Sequence, residues 1–109
     1  MAFSKAPSFD ENTYMLSLLC RACSHPARLV MLRRLIEAQD YVPHHELIFD
    51  IPLANSTISQ HLSTLRKLDL VTSRNAGIGI SEHRLSRRSM LKVDLLQQIV
   101  MMGTDRHQG

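Results

Sequence analysis

One eleven-residue stretch decides the fold of this chain: Asn55-Ser56-Thr57-Ile58-Ser59-Gln60-His61-Leu62-Ser63-Thr64-Leu65. Its apolar residues, continued by Leu68, recur at the spacing of one helix face, which predicts an amphipathic helix from Asn55 to about Leu68. The preceding stretch, residues 44–50, has room for only about two helical turns before Pro52 ends it. Two helices separated by about three or four residues predict a helix-turn-helix over residues 44–68.

Two further helices are predicted on the N-terminal side of this pair. A flexible arm, residues 1–8, leads to the pattern Ser8-Phe9-Asp10-Glu11, which predicts a capping box and a first helix over residues 10–22. A second helix is predicted to begin with Ser24 as its cap and to run to about Ala38.

A β-hairpin and a last helix are predicted on the C-terminal side. The hairpin occupies residues 70–85, with strands Leu70–Arg74 and Ile78–Leu85 joined by the turn Asn75-Ala76-Gly77. Helical spacing then returns and predicts a last helix over residues 87–102. In winged-helix proteins a hairpin in this place is the wing.

The predicted order is α-α-α-α-β-β-α, a mainly α fold with a small β-hairpin, in which residues 40–43 are only a break. A length of 109 residues allows one compact domain, residues 1–109, and the apolar and charged fractions, 44% and 21%, are typical of globular chains. No stretch approaches about 18 uninterrupted apolar residues, and the first residues lack the apolar block of a secretory signal. We therefore expect a cytoplasmic protein without a membrane partner.

The face of the central helix opposite its apolar stripe is typical of a helix that reads DNA. A rotation of about 100° per residue places seven polar side chains on that face or along its borders: Ser56, Thr57, Ser59, Gln60, Ser63, Thr64 and Lys67. Short hydroxyl residues allow close approach to phosphates, and a glutamine can pair with adenine. The N–H groups at the helix start, beside Asn55, are also available to a phosphate. We predict contact with double-stranded DNA; an ordinary solvated helix, the alternative, more often carries Glu–Lys pairs.

The positive charge of the chain is concentrated beside this helix. Thirteen Lys and Arg against ten Asp and Glu give a net charge of +3, but residues 66–92 alone hold seven basic and two acidic side chains. Five basic residues fall on or just after the predicted wing: Arg74, His83, Arg84, Arg87 and Arg88. Of these, Arg74, Arg84 and Arg87 are predicted to contact the DNA backbone or an adjacent minor groove. The alternative is a solvated face with no ligand.

Three stretches carry motifs of a known family. Cys20 to Leu29 (CRACSHPARL) is similar to "A-L-S-D-P-T-R-L", Glu46-Leu47 with Ile51-Pro52-Leu53 is similar to "D-L-A-x-x-L-G-L", and Ser56 to Leu65 is similar to "S-x-S-x-H-L-x-x-L". Together they resemble the ArsR/SmtB family of winged-helix bacterial repressors over about residues 16–85. The resemblance implies a DNA-binding repressor and adds His61 to the candidate DNA contacts. The helical angle of His61, beside the apolar stripe, is equally consistent with a hydrogen-bonded border position.

The predicted wing departs from the family pattern in two places. Relatives commonly carry aromatic residues on the second strand, where this chain has Ser81-Glu82-His83. Asp69 replaces the usual glycine before Leu70-Val71. The hairpin is therefore expected to be short, flexible or differently aimed.

Many relatives release DNA on binding a metal ion, but the ligand sets implied by the resemblance are incomplete in this chain. Where the family has cysteines at the start of the short helix, this chain has His44, His45 and Glu46, without a thiolate. Asp94 and His107 have the spacing of the last-helix ligands, without the other two. We expect no cofactor and assign no metal site.

Cys20 and Cys23 form a lone C-x-x-C in the first helix. Because apolar residues surround them at helical spacing and no second pair completes a set of four sulfur ligands, core packing is the simpler interpretation. A redox switch is the alternative, since Arg21 and His25 lie near enough in sequence to lower a thiol pKa.

The terminal helices, residues 10–22 and 87–102, carry more apolar residues than a small winged core needs, which predicts dimerisation. A homodimer is also expected because one recognition helix reads only about four or five base pairs, whereas two can read an inverted repeat. The alternative is that both helices complete the monomer core. The sequence thus predicts a homodimeric repressor whose releasing signal is not identified.

A second class of function, a winged-helix protein-interaction module without sequence-specific DNA binding, stays open. The discriminating observation is salt-dependent binding to a duplex. An enzyme is not expected, because no nucleophile, base and third group occur at a recognisable spacing.

Overall fold

The computed structural model describes residues 9–88 and 90–102 of the chain. This part contains the following elements in chain order: α1 Glu11–Ala22, α2 Pro26–Ala38, β1 Val42–Pro43, α3 His44–Leu47, α4 Asn55–Lys67, β2 Val71–Gly77, β3 Ile80–Leu85 and α5 Met90–Met102. The predicted fold class, mainly α with a small antiparallel β part, is confirmed, and so is the predicted order apart from the additional strand β1.

Helix α1 begins at Glu11 with Asp10 as its N-cap, two residues after Ser8, the cap of the predicted capping box. The Asp10 carboxylate accepts a hydrogen bond of 2.7 Å from the backbone N–H of Thr13, and this bond lowers the pKa of the carboxyl. The predicted capping box, Ser8 with Glu11, is therefore replaced by a cap from Asp10, and Ser8 itself lies outside the described residues.

Helix α2 begins at a different cap from the predicted one. His25 takes the N-cap position with extended backbone, and its Nδ1 atom accepts a hydrogen bond of 3.0 Å from the N–H of Ala27. The Ser24 hydroxyl instead donates to the Arg21 carbonyl at the end of α1. The prediction of Ser24 as the cap is wrong because the longer imidazole reaches the first turn of α2 from one residue later.

Residues 40–43, predicted to be only a break, contain strand β1. Val42 pairs with His83 and Pro43 with Glu82, so the sheet has the order β1-β3-β2 and β3 is its central strand. Proline is tolerated here because β1 is an edge strand, where a missing N–H need not cost a ladder hydrogen bond. The sheet thereby joins the helix-turn-helix to the wing.

The hairpin turn lies further along the chain than predicted. Residues Asn75 to Gly77 belong to β2, where the pairing register shifts, and the turn falls at Ile78-Gly79. The bulge accommodates the extra residue, and Gly79 supplies the positive φ of 70° that the turn needs. Ile78, at the tip, is fully exposed.

Two helix limits also differ from the predicted ones. Helix α3 ends at Leu47, well before Asp50, whose φ of 64° is incompatible with continued helix. Helix α5 begins at Met90, later than the predicted residue 87, because Ser86 is buried, its N–H donates to the Leu70 carbonyl and its hydroxyl accepts from the Arg88 N–H.

The core lies between α1, α2, α4, α5 and the start of β2. Its fully buried side chains include Leu19, Met31, Leu32, Leu35, Leu47, Leu62, Leu65, Leu70, Leu96 and Val100. The predicted apolar stripe of α4 is buried at Ile58, Leu62 and Leu65, while Leu68 is only partly covered. Helix α4 therefore lies on the surface with one face fixed and the other open.

Candidate nucleic-acid interface

The open face of α4 is polar and free of acid. Five of the predicted DNA contacts on this helix are exposed: Asn55, Ser56, Ser59, Gln60 and Lys67. No aspartate or glutamate occurs between Asn55 and Lys67, so nothing on the helix itself repels a phosphate. The surface suits the major groove of a duplex in size, polarity and charge.

The remaining predicted contacts on α4 are half buried. Thr57, His61 and Thr64 lie on one flank, where the first residues of α2 pack against the ring of His61. Ser63 is also half buried, whereas Ser59 is exposed. The helical angles predict Ser63 on the open face and Ser59 at its border, so the observed exposures of these two serines are the reverse of the predicted ones.

The N-terminal end of α4 has no side-chain cap. Ala54 occupies the N-cap position and has no side chain that accepts a hydrogen bond. The backbone N–H groups of Asn55, Ser56 and Thr57, the first residues of the helix, therefore have no capping side chain. Three N–H groups at the positive end of a helix dipole form a site suited to a phosphate oxygen.

Arg28 connects α4 to the end of α1. Its Nη1 atom donates to Nδ1 of His61 at 2.8 Å, and its Nε atom donates to the Ala22 carbonyl at 3.1 Å. Its Nη2 atom donates to the Arg21 carbonyl at 2.9 Å and to the Ser24 hydroxyl at 2.7 Å. The guanidinium thus closes the C-terminal end of α1 and touches the flank of the recognition helix.

His61 also stacks on a second histidine. The ring centroids of His25 and His61 are 4.2 Å apart, with a tilt of 39° between the planes. Partial burial lowers the pKa of His61, and the neighbouring His25 and Arg28 act in the same direction. The imidazole of His61 is therefore held in its neutral form at neutral pH.

Two of the three predicted wing contacts, Arg74 and Arg84, share one aromatic ring. The guanidinium carbon of Arg74 lies 3.8 Å from the centre of the Tyr41 ring, and its Nε donates to Glu82 at 2.6 Å. The guanidinium carbon of Arg84 lies 4.9 Å from the same centre, and its Nη1 is 3.8 Å from a carboxylate oxygen of Asp40. Both guanidinium groups are therefore partly neutralised and fixed in position.

Arg87, the third predicted wing contact, is exposed just after β3. Within residues 9–88 and 90–102 it has no acidic partner, whereas its neighbour Arg88 lies 3.5 Å from Asp69. Among the three predicted contacts, Arg87 thus has the guanidinium with the least local compensation.

His83 does not belong to the basic surface of the wing, contrary to the prediction. Its side chain is 3% exposed, and Nε2 lies 2.9 Å from Nδ1 of His44 while Nδ1 lies 2.6 Å from the Ser73 hydroxyl. Arg66 donates to the same hydroxyl at 3.3 Å. Because β3 is the central strand, a side chain on its inner face is shielded from solvent. His83 is covered there by His44 of α3 and Ser73 of β2.

The candidate metal ligands are dispersed in the described part of the chain. His44 faces His83, whereas His45 is exposed, with Nε2 3.9 Å from the Glu46 carboxylate. No three His, Cys, Asp or Glu side chains come together there as ligands. His107, the predicted companion of Asp94, lies outside the described residues.

The two cysteines differ in environment. Cys20 is exposed on α1, and Cys23 is half buried against the core at the C-cap of that helix. Burial raises the pKa of the Cys23 thiol, and Cys20 adds to this, whereas Arg28 opposes it. Cys23 thus packs partly against the core, and Cys20 is the more accessible of the two to a reagent in solution.

Two residues of the interface were not predicted from the sequence. Tyr41 lies in a stretch predicted to be a break, and no sequence pattern indicated that its ring contacts Arg74 and Arg84. Arg28 lies off the apolar stripe of α2, which indicates an exposed position but does not reveal four hydrogen bonds to other elements.

Comparison with known proteins supports this architecture. The chain is similar to HlyU from Vibrio cholerae N16961, with 24% identity over 86% of this chain and 97% of that one and a TM-score of 0.70. It is similar to the transcriptional repressor BigR from Xylella fastidiosa, with 25% identity over 84% and 89% and a TM-score of 0.67. It is also similar to NolR from Sinorhizobium fredii, with 23% identity over 93% of this chain and 96% of that one and a TM-score of 0.65. No curated protein sequence matches.

The fold and the acid-free face of α4 define a winged helix-turn-helix protein. Residues 25–73, from the cap of α2 into β2, match the family model described as "Bacterial regulatory protein, arsR family". The helix-turn-helix region thus matches this family, and the match supports a DNA-binding transcription regulator. No helix in the described part of the chain is long and apolar enough to cross a membrane.

Proposed function

We propose that this protein is a homodimeric repressor that binds an inverted-repeat operator in the cytoplasm and is released by a signal acting within the domain. The observation that carries the proposal is the open face of α4: exposed Ser56, Ser59 and Gln60 beside an uncapped helix N-terminus, with no acidic residue on the helix. Such a surface can dock on phosphates through its first turn and present an amide to a base edge.

Pairing of two protomers is proposed to use α1 and α5. Both helices retain exposed apolar side chains after the core is complete, among them Tyr14, Leu16 and Met102. Two recognition helices spaced about one turn of DNA apart read two half-sites, which matches the symmetry of a repeat to that of a dimer. The repressor named BigR, similar over 84% of this chain, supports a repressing role.

The function is tested by selecting bound fragments from a genomic pool and measuring affinity for the recovered site. We expect a palindromic site, and we expect the affinity to fall steeply between about 50 and 200 mM salt. Ser56→Ala with Gln60→Ala should weaken operator binding by about a hundredfold, since each lost base or phosphate contact costs about 1–3 kcal/mol. Ser17→Ala, which removes an outward hydroxyl from α1, serves as the matched control and should leave binding unchanged.

Indifference of duplex binding to both the double substitution and salt would contradict DNA reading and favour the protein-interaction module. The dimer is tested separately by sedimentation equilibrium at micromolar concentration. Leu16→Glu, at a 47% exposed position of α1, should shift the dimer to monomer without unfolding it. A wild-type monomer at that concentration would refute the pairing.

The cofactor-free state is likewise a proposal, and it is tested by metal titration of the protein–operator complex. Release of DNA by a stoichiometric divalent ion would overturn it.

A further inference from the structure

Arg28, whose guanidinium can only donate hydrogen bonds, is bound to His61 of helix α4. Arg28 Nη1 is 2.8 Å from Nδ1 of His61. A guanidinium carries only donors, so Nδ1 of His61 must accept and cannot itself carry a proton. The ring proton of neutral His61 is therefore fixed on Nε2.

The Nε2–H group of His61 is left without a partner inside the protein. No hydrogen bond to it occurs within residues 9–88 and 90–102, although the ring stacks on His25. His61 is half exposed and lies next to Gln60 on α4, at the edge of the open face. A fixed donor at that place is available to an acceptor from outside the protein.

We infer that Arg28 is a positioning residue that holds His61 as a hydrogen-bond donor to an acceptor atom on duplex DNA. The inference rests on the proposed function, because it takes α4 to be the DNA-reading helix. The acceptor is either a base edge in the major groove, such as guanine O6 or N7, or a phosphate oxygen.

The position of His61 also depends on the end of α1. The same guanidinium binds the carbonyls of Ala22 and Arg21, so it cannot follow His61 without leaving α1. A lysine at this place keeps the charge but has no planar fork to bind both elements together.

The tautomer provides a test in the free protein. Long-range ¹H–¹⁵N spectra of the full chain at neutral pH should show His61 as the Nε2–H tautomer in the wild type. In Arg28→Lys the spectra should show a mixture of tautomers. An Nδ1–H tautomer in the wild type would overturn the inference, whether or not the protein binds DNA.

Operator affinity provides the second test. His61→Ala and Arg28→Lys should each weaken binding about tenfold, and the double variant should also be about tenfold weaker, because both changes remove one interaction. His61→Gln, which places an amide donor near the former Nε2, should recover part of the loss. The matched control, Arg21→Lys at an exposed position of α1, should not alter affinity.

Losses that add to about a hundredfold in the double variant would overturn the inference, because Arg28 and His61 would then act independently. A loss confined to the operator identifies a base edge as the acceptor, and an equal loss on an unrelated duplex identifies a phosphate. If the wild type binds no duplex at all, the proposed function fails, and the inference fails with it even when the tautomer is as expected.

Discussion

The Nε2 atom of His83 lies 2.9 Å from the Nδ1 atom of His44, and this contact joins the wing to the short first helix of the helix-turn-helix. On its other side the His83 ring meets the Ser73 hydroxyl, to which Arg66 of α4 also donates. One buried imidazole thus connects α3, β2, β3 and α4. Burial lowers the pKa of His83 to about 4; His44 and Arg66 contribute in the same direction, and Glu82 opposes them.

This pKa makes stability depend on pH. Because the unfolded chain takes up a proton near pH 6.5 while folded His83 resists it until about pH 4, stability is complete above pH 6.5 and falls with pH between these values. Between pH 7.5 and pH 5 the free energy of unfolding should fall by about 2 kcal/mol. Urea denaturation at the two pH values measures the change. In His83→Asn the free energy of unfolding should fall much less between the two pH values. A fall equal to that of the wild type would show that other groups cause the pH dependence.

The wing arginines should differ in their contribution to DNA binding. Arg84 has a side chain only 17% exposed and already lies near Asp40, whereas Arg87 is exposed. We expect Arg87→Ala to reduce the slope of log affinity against log salt by about 0.9, the value for one phosphate contact. Arg84→Ala should change the slope much less, although it removes packing against Tyr41. Fluorescence anisotropy over a salt series distinguishes the two, and a larger change for Arg84→Ala would refute the ranking.

Asp69 adopts the left-handed backbone conformation, with φ of 62°, at the position where relatives commonly have glycine. Asp69→Ala should lower the free energy of unfolding by about 1 kcal/mol, because a Cβ without a polar group is disfavoured there. Asp69→Gly should be neutral or slightly stabilising, since it removes the backbone strain but also the contact with Arg88. Thermal unfolding of both variants checks this order, and a glycine variant less stable than the alanine variant would contradict it.

The cysteines should react at different rates with an alkylating reagent. Cys20 is exposed, whereas Cys23 is half buried with a raised pKa, so we expect Cys20 to be modified at least about tenfold faster at neutral pH. Peptide mass spectrometry over a time course gives both rates. Equal rates would show that the end of α1 opens readily and would favour the redox alternative. Cys20→Ser is the control: because Cys20 adds to the raised pKa of the Cys23 thiol, the rate at Cys23 should rise slightly but stay well below that of Cys20 in the wild type.

Local patterns predicted most of the helices and the core of this protein. The stripe Ile58, Leu62, Leu65 specified α4 because a helical period determines which side chains meet the core. Strand β1 could not be predicted in this way, since two residues carry no period and pair only because β3 presents a free edge. The turn at Ile78-Gly79 was displaced from its predicted place by a bulge, which depends on pairing between strands and not on either strand alone.

The candidate site was predictable to the same extent. The exposed polar residues of α4 follow from helix geometry, so the sequence alone predicts the exposure of Ser56 and Gln60. The burial of His83 and the hydrogen bonds of Arg28 depend on which elements pack together. From the sequence alone, both side chains look like ordinary basic residues on the surface. Interactions between elements are thus the part that sequence reasoning missed.

Strand β1 has a consequence for how the wing could be exchanged. Val42 and Pro43 pair with His83 and Glu82 of β3. The guanidinium groups of two wing arginines, Arg74 and Arg84, lie over the ring of Tyr41. A wing grafted from a distant homologue would therefore need matching residues at positions 40–44 as well, because these residues pair with β3 and contact its arginines. Residues 40–44 and the hairpin thus form one structural unit.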